Sequence, residues 1–118
     1  MPAQPYRTLD GSLVTELVRP ESEGSKNLSL ALAVIDPGTC TLRHSHRTSE
    51  EVYYILRGHG LLQVGGTHTP VAPGEAHLIP AGTEHSIGCV GAAPLEILCA
   101  CAPPYRHEDT AMAAGVVT

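Results

Sequence analysis

The stretch HSHRTSEEVYYILRGHG, residues 44–60, decides both the fold class and the candidate site. His44 and His46 stand one residue apart, two glutamates follow, and a run of apolar residues comes next. Because alternate residues of a β-strand share a face, the two imidazoles are expected to point the same way. The pattern indicates either the start of a metal site on a β-scaffold or a chance cluster of polar residues at a strand end, and the second is the commoner case for two histidines alone.

Two adjacent glutamates open the strand that follows a short turn, so one carboxylate is expected to come back beside the imidazoles. Alternation places Glu51, Tyr53 and Ile55 on one face of this strand, and Glu50 and Tyr54 on the other. Alternation alone does not show which of these faces points inward, because the turn breaks the alternation that would relate this strand to the preceding one. Both glutamates therefore stay candidate ligands at this point.

The rest of the chain reads as short strands separated by turns. The 12 glycines and 10 prolines are scattered, which favours many strands over a few helices. Residues 60–64 and 67–72 predict a hairpin around Gly65 and Gly66, because glycine tolerates the positive φ of a tight turn. Further strands are predicted at residues 28–36, 76–80, 85–90 and 94–102. The pattern is typical of an antiparallel β-barrel or sandwich.

Composition excludes several classes of partner. The formal charge is -5 and Lys26 is the only lysine, so no basic patch offers a surface to nucleic acid or to an anionic membrane. No apolar run approaches ~18 residues and no leader pattern is visible, so we expect a cytoplasmic protein. Cys99 and Cys101 share a strand face, and we expect them to be small buried thiols.

The strand at residues 52–56 reads Val-Tyr-Tyr-Ile-Leu and is apolar on both faces. One face must line the core, and the other needs cover from a second sheet or a second subunit. Because a chain of 118 residues has few elements to spare, this pattern favours a homodimer.

Two spaced motifs resemble the cupin superfamily. Residues 38–58 read as a glycine, five residues, His-x-His, four residues, a glutamate, six residues and a glycine, as in the first cupin motif. Residues 74–85 read as a glycine, five residues, Pro-x-Gly, two residues and a histidine, as in the second. The second motif usually continues to an asparagine, and this chain has Cys89 there. Any hydrogen bonding that the asparagine supplies is therefore in doubt, whereas the ligand positions all match.

The resemblance, which is to small single-domain cupins, implies a fold and a ligand set. The implied fold is all-β: a double-stranded β-helix (jelly-roll) barrel of two antiparallel sheets. Its expected parts are an N-terminal strand or arm and loop at 1–27, the cupin barrel at 28–104 and a C-terminal tail at 105–118. Carried over by position, the metal ligands are His44, His46, Glu51 and His85, with Glu51 selected by its distance to Gly58. Imidazole and carboxylate ligands suit Mn, Fe, Co, Ni, Cu or Zn.

Other residues are weaker candidates. Tyr53 shares the face of Glu51 and is a candidate catalytic proton donor, although a core tyrosine is the plainer interpretation. His77 lies on the strand predicted at residues 76–80 and is a candidate substrate-binding residue. Glu50 is expected outside the barrel and remains the alternative ligand if the register differs by one. Residues 105–107 either fold over the barrel mouth, pack on a partner or form a surface tail.

Two functions follow as expectations. The first is a metal-dependent enzyme acting on an oxygenated small molecule, oxygenase-like first, with decarboxylase, isomerase and lyase chemistry as further options. A sugar-phosphate substrate is disfavoured, because a phosphate calls for a cluster of lysines or arginines that the predicted inward positions lack. The second is a metal- or ligand-binding cupin module without turnover.

Overall fold

The computed structural model describes residues 4–113. Eleven strands and one short 3-10 helix at His107–Asp109 form its elements. The strands are, in chain order, β1 (Tyr6–Arg7), β2 (Leu13–Val18), β3 (Ser29–Ile35), β4 (His44–His46), β5 (Glu50–Arg57), β6 (His59–Val64), β7 (Thr67–Val71), β8 (Ala76–Ile79), β9 (His85–Val90), β10 (Leu95–Ala102) and β11 (Thr110–Met112).

These strands build two antiparallel sheets. A six-stranded sheet has the order β1-β2-β3-β10-β5-β8, and a five-stranded sheet has the order β11-β4-β9-β6-β7. The predicted all-β fold of two antiparallel sheets is thereby confirmed. Across residues 4–113, no helix is both long enough and apolar enough to cross a membrane.

Residues near both ends of the described range contribute strands to the sheets. β2 pairs with β3 at one edge of the larger sheet, and β11 pairs with β4 in the smaller one. The division into a barrel at 28–104, an N-terminal part and a tail stays a prediction. Residues 1–3 and 114–118 of those terminal parts lie outside the described residues.

Inward-facing positions change from polar to aliphatic along the strands. In the register of β10 and β5, Cys101 lies opposite Glu51, Cys99 opposite Tyr53, and Ile97 opposite Ile55. Ile55 is fully buried, and burial of such a side chain contributes about 1.5 to 3 kcal/mol. One end of the barrel is therefore a packed aliphatic core, and the other end presents polar side chains.

Two glycine-containing turns follow the sequence prediction. β6 and β7 form a hairpin whose two-residue loop is Gly65 and Gly66, with a φ of 58° at Gly65. Gly58 has a φ of 80°, and a Cβ there would lie 2.4 Å from the carbonyl oxygen of Pro94. Only glycine fits at position 58, because both its backbone conformation and its neighbour exclude a side chain.

The residue in place of the motif asparagine keeps a local hydrogen bond. Cys89 is buried in β9, and its Sγ donates to the carbonyl oxygen of Ala93, 3.1 Å away. This contact ties the end of β9 to the turn that leads into β10. A thiol thus supplies a hydrogen bond within this turn.

Candidate metal centre

Three buried histidines converge at the polar end of the barrel. His44 and His46 lie at alternate positions of β4 and both face inward. His85 begins β9 and pairs directly with His44 across the sheet. One nitrogen from each ring can be chosen so that all three lie within 4.8 Å of one another. This spacing is compatible with ligands of a single ion.

Each imidazole is held through its Nδ1 atom. His44 Nδ1 lies 2.8 Å from the carbonyl oxygen of Leu42, and His85 Nδ1 lies 3.0 Å from that of Thr83. A carbonyl only accepts, so Nδ1 must donate in both rings, and a neutral ring then has its lone pair on Nε2. His46 Nδ1 lies 3.2 Å from the hydroxyl of Thr110 on β11. Such contacts orient the Nε2 atoms toward the cavity.

Glu51 adds a carboxylate to this cluster. Its Oε1 lies 3.4 Å from His46 Nε2 and 3.5 Å from His85 Nε2. Within residues 4–113, neither Glu51 Oε1 nor His85 Nε2 has a hydrogen-bond partner of good geometry, although both atoms are buried. An unsatisfied buried polar atom costs about 1 to 3 kcal/mol. A cation held between these atoms would satisfy both, so the residues present fit a divalent metal.

Burial and neighbouring charges set the protonation of the cluster. Burial raises the pKa of Glu51, but contacts with His46 and His85 outweigh it and lower that pKa to about 2. Burial, followed by the charge of His85, lowers the pKa of His44. Burial lowers the pKa of His85, but the contact with Glu51 outweighs it and the net direction is upward. Glu51 is thus ionised and His44 neutral near pH 7, as metal binding requires, while a metal would displace any proton on His85.

The two adjacent glutamates of β5 lie on opposite faces. Glu51 is buried and Glu50 is exposed. Of the two candidate ligands left open by strand alternation, the structure brings Glu51 to the histidines and leaves Glu50 on the outer face.

Tyr53 lies inside the barrel near the cluster. Its side chain is buried and lines the cavity, with its ring centroid 6.1 Å from that of His85. Burial, and then the charge of Glu51, raises the pKa of the Tyr53 phenol well above its usual value. The phenol therefore keeps its proton and is available as a hydrogen-bond donor.

His77 is not brought to the cluster. It lies opposite Tyr53 on the edge strand β8, but its Nε2 lies 3.1 Å from Glu75 Oε1. Among the described residues, His77 is absent from the cavity lining. A role in binding substrate stays a prediction that this position does not favour.

Sequence reasoning gave no role at the cluster to three residues that lie near it. Asp10 Oδ2 lies 3.3 Å from His44 Nε2, and Cys101 Sγ donates to Glu51 Oε2 at 3.3 Å. The ring of Tyr105 meets that of His46 edge-on, with 5.6 Å between centroids. None belongs to a spaced motif. The only sequence signals were the shared strand face of Cys99 and Cys101 and the option that residues 105–107 cover the barrel mouth.

The cavity that these residues share is small and mostly apolar. Its volume is about 60 Å³, which leaves room for only a few water-sized groups. Among the described residues, no lysine or arginine lines it. Aliphatic side chains from several strands form much of its wall: Val14, Ala31, Ala33, Ile35, Ile87 and Ile97.

Tyr105 and the segment after it cover this end of the barrel. The backbone N–H of Tyr105 donates to the Ser29 hydroxyl at 2.8 Å, and burial raises the pKa of the Tyr105 phenol to about 12. Asp109 accepts hydrogen bonds from Thr48 and Ser49 in the turn between β4 and β5. The C-terminal segment therefore fixes the turn that joins His46 to Glu51.

Comparison with known proteins identifies the family to which the chain belongs. A sequence model described as the Cupin domain matches residues 31–101. An uncharacterised protein of Methanocaldococcus jannaschii is 46% identical over 107 residues, which cover 91% of this chain and 86% of that protein. The oxalate-binding protein of Thermotoga maritima is 31% identical over 85 residues, which cover 72% of this chain and 70% of that protein.

A solved structure agrees with these sequence matches. A protein from Thermotoga maritima described as a predicted oxalate decarboxylase aligns with a TM-score of 0.75 at 26% identity, over 85% of this chain and 92% of its own. Two antiparallel sheets, a buried histidine cluster and these matches lead to one conclusion. The chain belongs to the cupin family.

Proposed function

We propose that this chain binds a divalent transition metal through His44, His46, Glu51 and His85 and acts on a small oxygenated acid. The observation that supports this proposal most directly is that two buried atoms of the cluster, Glu51 Oε1 and His85 Nε2, have no hydrogen-bond partner within residues 4–113. Nitrogen and oxygen ligands of this kind suit Mn, Fe, Co, Ni, Cu or Zn. When bound, the metal supplies Lewis-acid or dioxygen chemistry to the reaction.

The residues that line the cavity favour a small substrate without a phosphate group. A cavity of about 60 Å³ suits a small molecule, and the aliphatic part of its wall disfavours water. The buried Tyr53 phenol supplies a proton or a hydrogen bond to a substrate oxygen. A lining without lysine or arginine among the described residues disfavours sugar phosphates. The names of the two Thermotoga maritima relatives point to oxalate, so a small mono- or dicarboxylic acid is the substrate class we propose.

A second candidate function is binding without turnover. One relative of this chain is named for binding oxalate, with no reaction in its name. In that case the metal centre would hold the acid, and Tyr53 would only position it.

Metal content followed by a ligand assay separates these functions. The protein would be purified after growth with each candidate metal, analysed by plasma mass spectrometry, and titrated calorimetrically with oxalate and larger acids. Carbon dioxide release and oxygen consumption would then be followed. Turnover supports the enzyme, and tight binding without turnover supports the binding module. Protein that takes up no transition metal under any condition contradicts both.

The outer face of the larger sheet supports a homodimer. Val52, Tyr54 and Leu78 are 36%, 42% and 57% exposed, and Val52 pairs directly with Leu78. Light scattering tests this: we expect a dimer mass for the wild type and a monomer mass for Tyr54→Glu. A monomeric wild type would contradict it.

A further inference from the structure

We propose that Asp10 is an additional carboxylate ligand of the metal centre, supplied by the N-terminal segment. This inference rests on the metal centre proposed above. Asp10 lies in the turn between β1 and β2, outside both motifs, and its side chain is 14% exposed and lines the cavity. Its Oδ2 lies 3.3 Å from His44 Nε2.

Hydrogen bonds within the turn hold Oδ1 of the Asp10 carboxylate, and they leave Oδ2 available to a metal ion. Asp10 Oδ1 accepts hydrogen bonds from the backbone N–H and the hydroxyl of Ser12, at 2.9 and 2.7 Å, and another from the hydroxyl of Thr8. The Asp10 carbonyl accepts a hydrogen bond from the N–H of Leu42 at 2.8 Å. Leu42 is also the residue whose carbonyl holds His44 Nδ1. Asp10 is thus docked on the segment that orients His44, with Oδ2 directed at the ring.

The contact between Asp10 and His44 joins two acceptors. His44 Nδ1 donates to Leu42, so Nε2 of the neutral ring carries a lone pair, and that lone pair faces a carboxylate oxygen. Two acceptors at 3.3 Å repel unless a positive charge lies between them. Glu51 Oε1 lies 3.5 Å from His85 Nε2, on a ring whose Nδ1 likewise contacts a backbone carbonyl. A cation bound by all four of these groups would make both contacts favourable.

The distance between Asp10 and His44 fits two ligands of one ion. Two donor atoms about 2.1 Å from a metal and about 90 to 110° apart lie about 3.0 to 3.4 Å from each other. Asp10 Oδ2 and His44 Nε2, at 3.3 Å, fall within this range, and Glu51 Oε1 and His46 Nε2, at 3.4 Å, lie at its upper end. Asp10 therefore relates to His44 as Glu51 relates to His46.

A second carboxylate changes the charge of the site. Three neutral imidazoles and Glu51 leave a divalent ion with a formal charge of about +1, and adding Asp10 brings the total to about zero. Asp10 thereby strengthens the binding of divalent ions. The N-terminal segment then supplies a ligand of the metal centre, in addition to adding strands at the edge of the sheet.

Titration with Co²⁺ tests the role of Asp10, with affinity by calorimetry and coordination by visible absorption as readouts that need no activity. Asp10→Asn keeps the acceptor for Ser12 and Thr8, removes the charge and places an amide donor against His44. We expect its affinity for Co²⁺ to fall about tenfold or more, with a changed absorption spectrum. Asp10→Glu keeps the charge but moves the carboxylate, and we expect weaker binding there too.

Asp36→Asn is the matched control. Asp36 lies on the exterior, 57% exposed beside Arg7, and its loss removes the same charge without touching the cavity. We expect wild-type affinity and spectrum for this variant. Circular dichroism of the metal-free proteins checks that all variants fold. If Asp10→Asn does not fold, the affinity and spectrum of Asp10→Glu decide the test.

Each result has one meaning. Wild-type affinity in both Asp10 variants overturns the Asp10 ligand and leaves the proposed function standing. Weaker binding by Asp10→Asn with an unchanged spectrum and an unaffected Asp10→Glu shows a through-space charge effect, which also overturns it. A wild-type protein that binds no Co²⁺ or any other transition metal overturns the proposed function, and the Asp10 ligand with it.

Discussion

Cys101 and Glu51 lie opposite each other on β10 and β5, and the thiol of Cys101 donates to Glu51 Oε2 at 3.3 Å. This contact occupies one carboxylate oxygen and leaves the other, Oε1, near His46 and His85. Burial, and then the charge of Glu51, raises the pKa of the Cys101 thiol, so the proton stays on sulfur and the hydrogen bond persists at neutral pH. Cys101 therefore positions a proposed ligand from the neighbouring strand.

Replacement of Cys101 by alanine is expected to weaken metal binding about tenfold, because the Glu51 carboxylate loses the donor that orients it. Cys101→Ser keeps a donor of similar size and should stay close to wild type. Calorimetric titration with Co²⁺ or Mn²⁺ measures both. Cys99→Ala, two residues away on the same strand face, is the control for lost packing. Equal affinities for Cys101→Ala and Cys99→Ala would show that the thiol has no positioning role.

The two adjacent glutamates of β5 should differ sharply in their effect on metal binding. Glu51→Gln keeps the shape of a buried side chain but removes its charge, and we expect metal affinity to fall by about 100-fold or more. Glu50→Gln removes the same charge from the exposed face and should leave metal affinity near wild type. Metal content after dialysis and calorimetry measure both variants. If Glu50→Gln loses more metal affinity than Glu51→Gln, Glu50 rather than Glu51 faces the histidines.

The sequence predicted residues that lie on one strand or in one spaced motif. Alternation along β4 placed His44 and His46 together, and the distance to Gly58 selected Glu51. Asp10 could not be found this way, because it reaches His44 only through a turn that docks on Leu42. Cys101 meets Glu51 through a register between strands distant in sequence.

The same limit explains the position of His77. The sequence predicted only that His77 lies on a strand, and in the structure it lies opposite Tyr53. Periodicity does not show that β8 is an edge strand, where the His77 ring reaches Glu75 instead of the cavity.

The hydrogen bonds to Asp109 predict a stability that depends on pH. Burial raises the pKa of Asp109, but hydrogen bonds from Thr48 and Ser49 outweigh it, and the net direction is downward. The folded-state pKa thus lies below the unfolded value of about 3.9, so the stabilisation is complete above about pH 4 and is lost as pH falls through the folded pKa. Asp109→Asn should lower the free energy of unfolding by about 1 to 3 kcal/mol near pH 7.

Urea unfolding across a pH series measures this effect. The difference between wild type and Asp109→Asn should shrink below about pH 4 as the wild-type carboxyl takes up its proton. Glu108→Gln is the control, because it removes a charge from the exposed neighbouring side chain. A difference that stays constant from neutral to acid pH would show that the charge of Asp109 does not stabilise the turn.

Two motif glycines should differ in what they tolerate. Gly38 and Gly58 have φ values of 75° and 80°, so alanine is strained at both and costs about 1 to 2 kcal/mol from the backbone alone. At Gly38 an added Cβ meets nothing within 4 Å, whereas at Gly58 it would lie 2.4 Å from the carbonyl oxygen of Pro94. Overpacking against a backbone atom adds about 1 to 3 kcal/mol, so Gly58→Ala should lose about 2 to 5 kcal/mol in total. Denaturant unfolding measures the free energy of unfolding of both variants. Equal losses in Gly38→Ala and Gly58→Ala would mean that the contact between the end of β5 and the β9–β10 turn adjusts without a cost in stability.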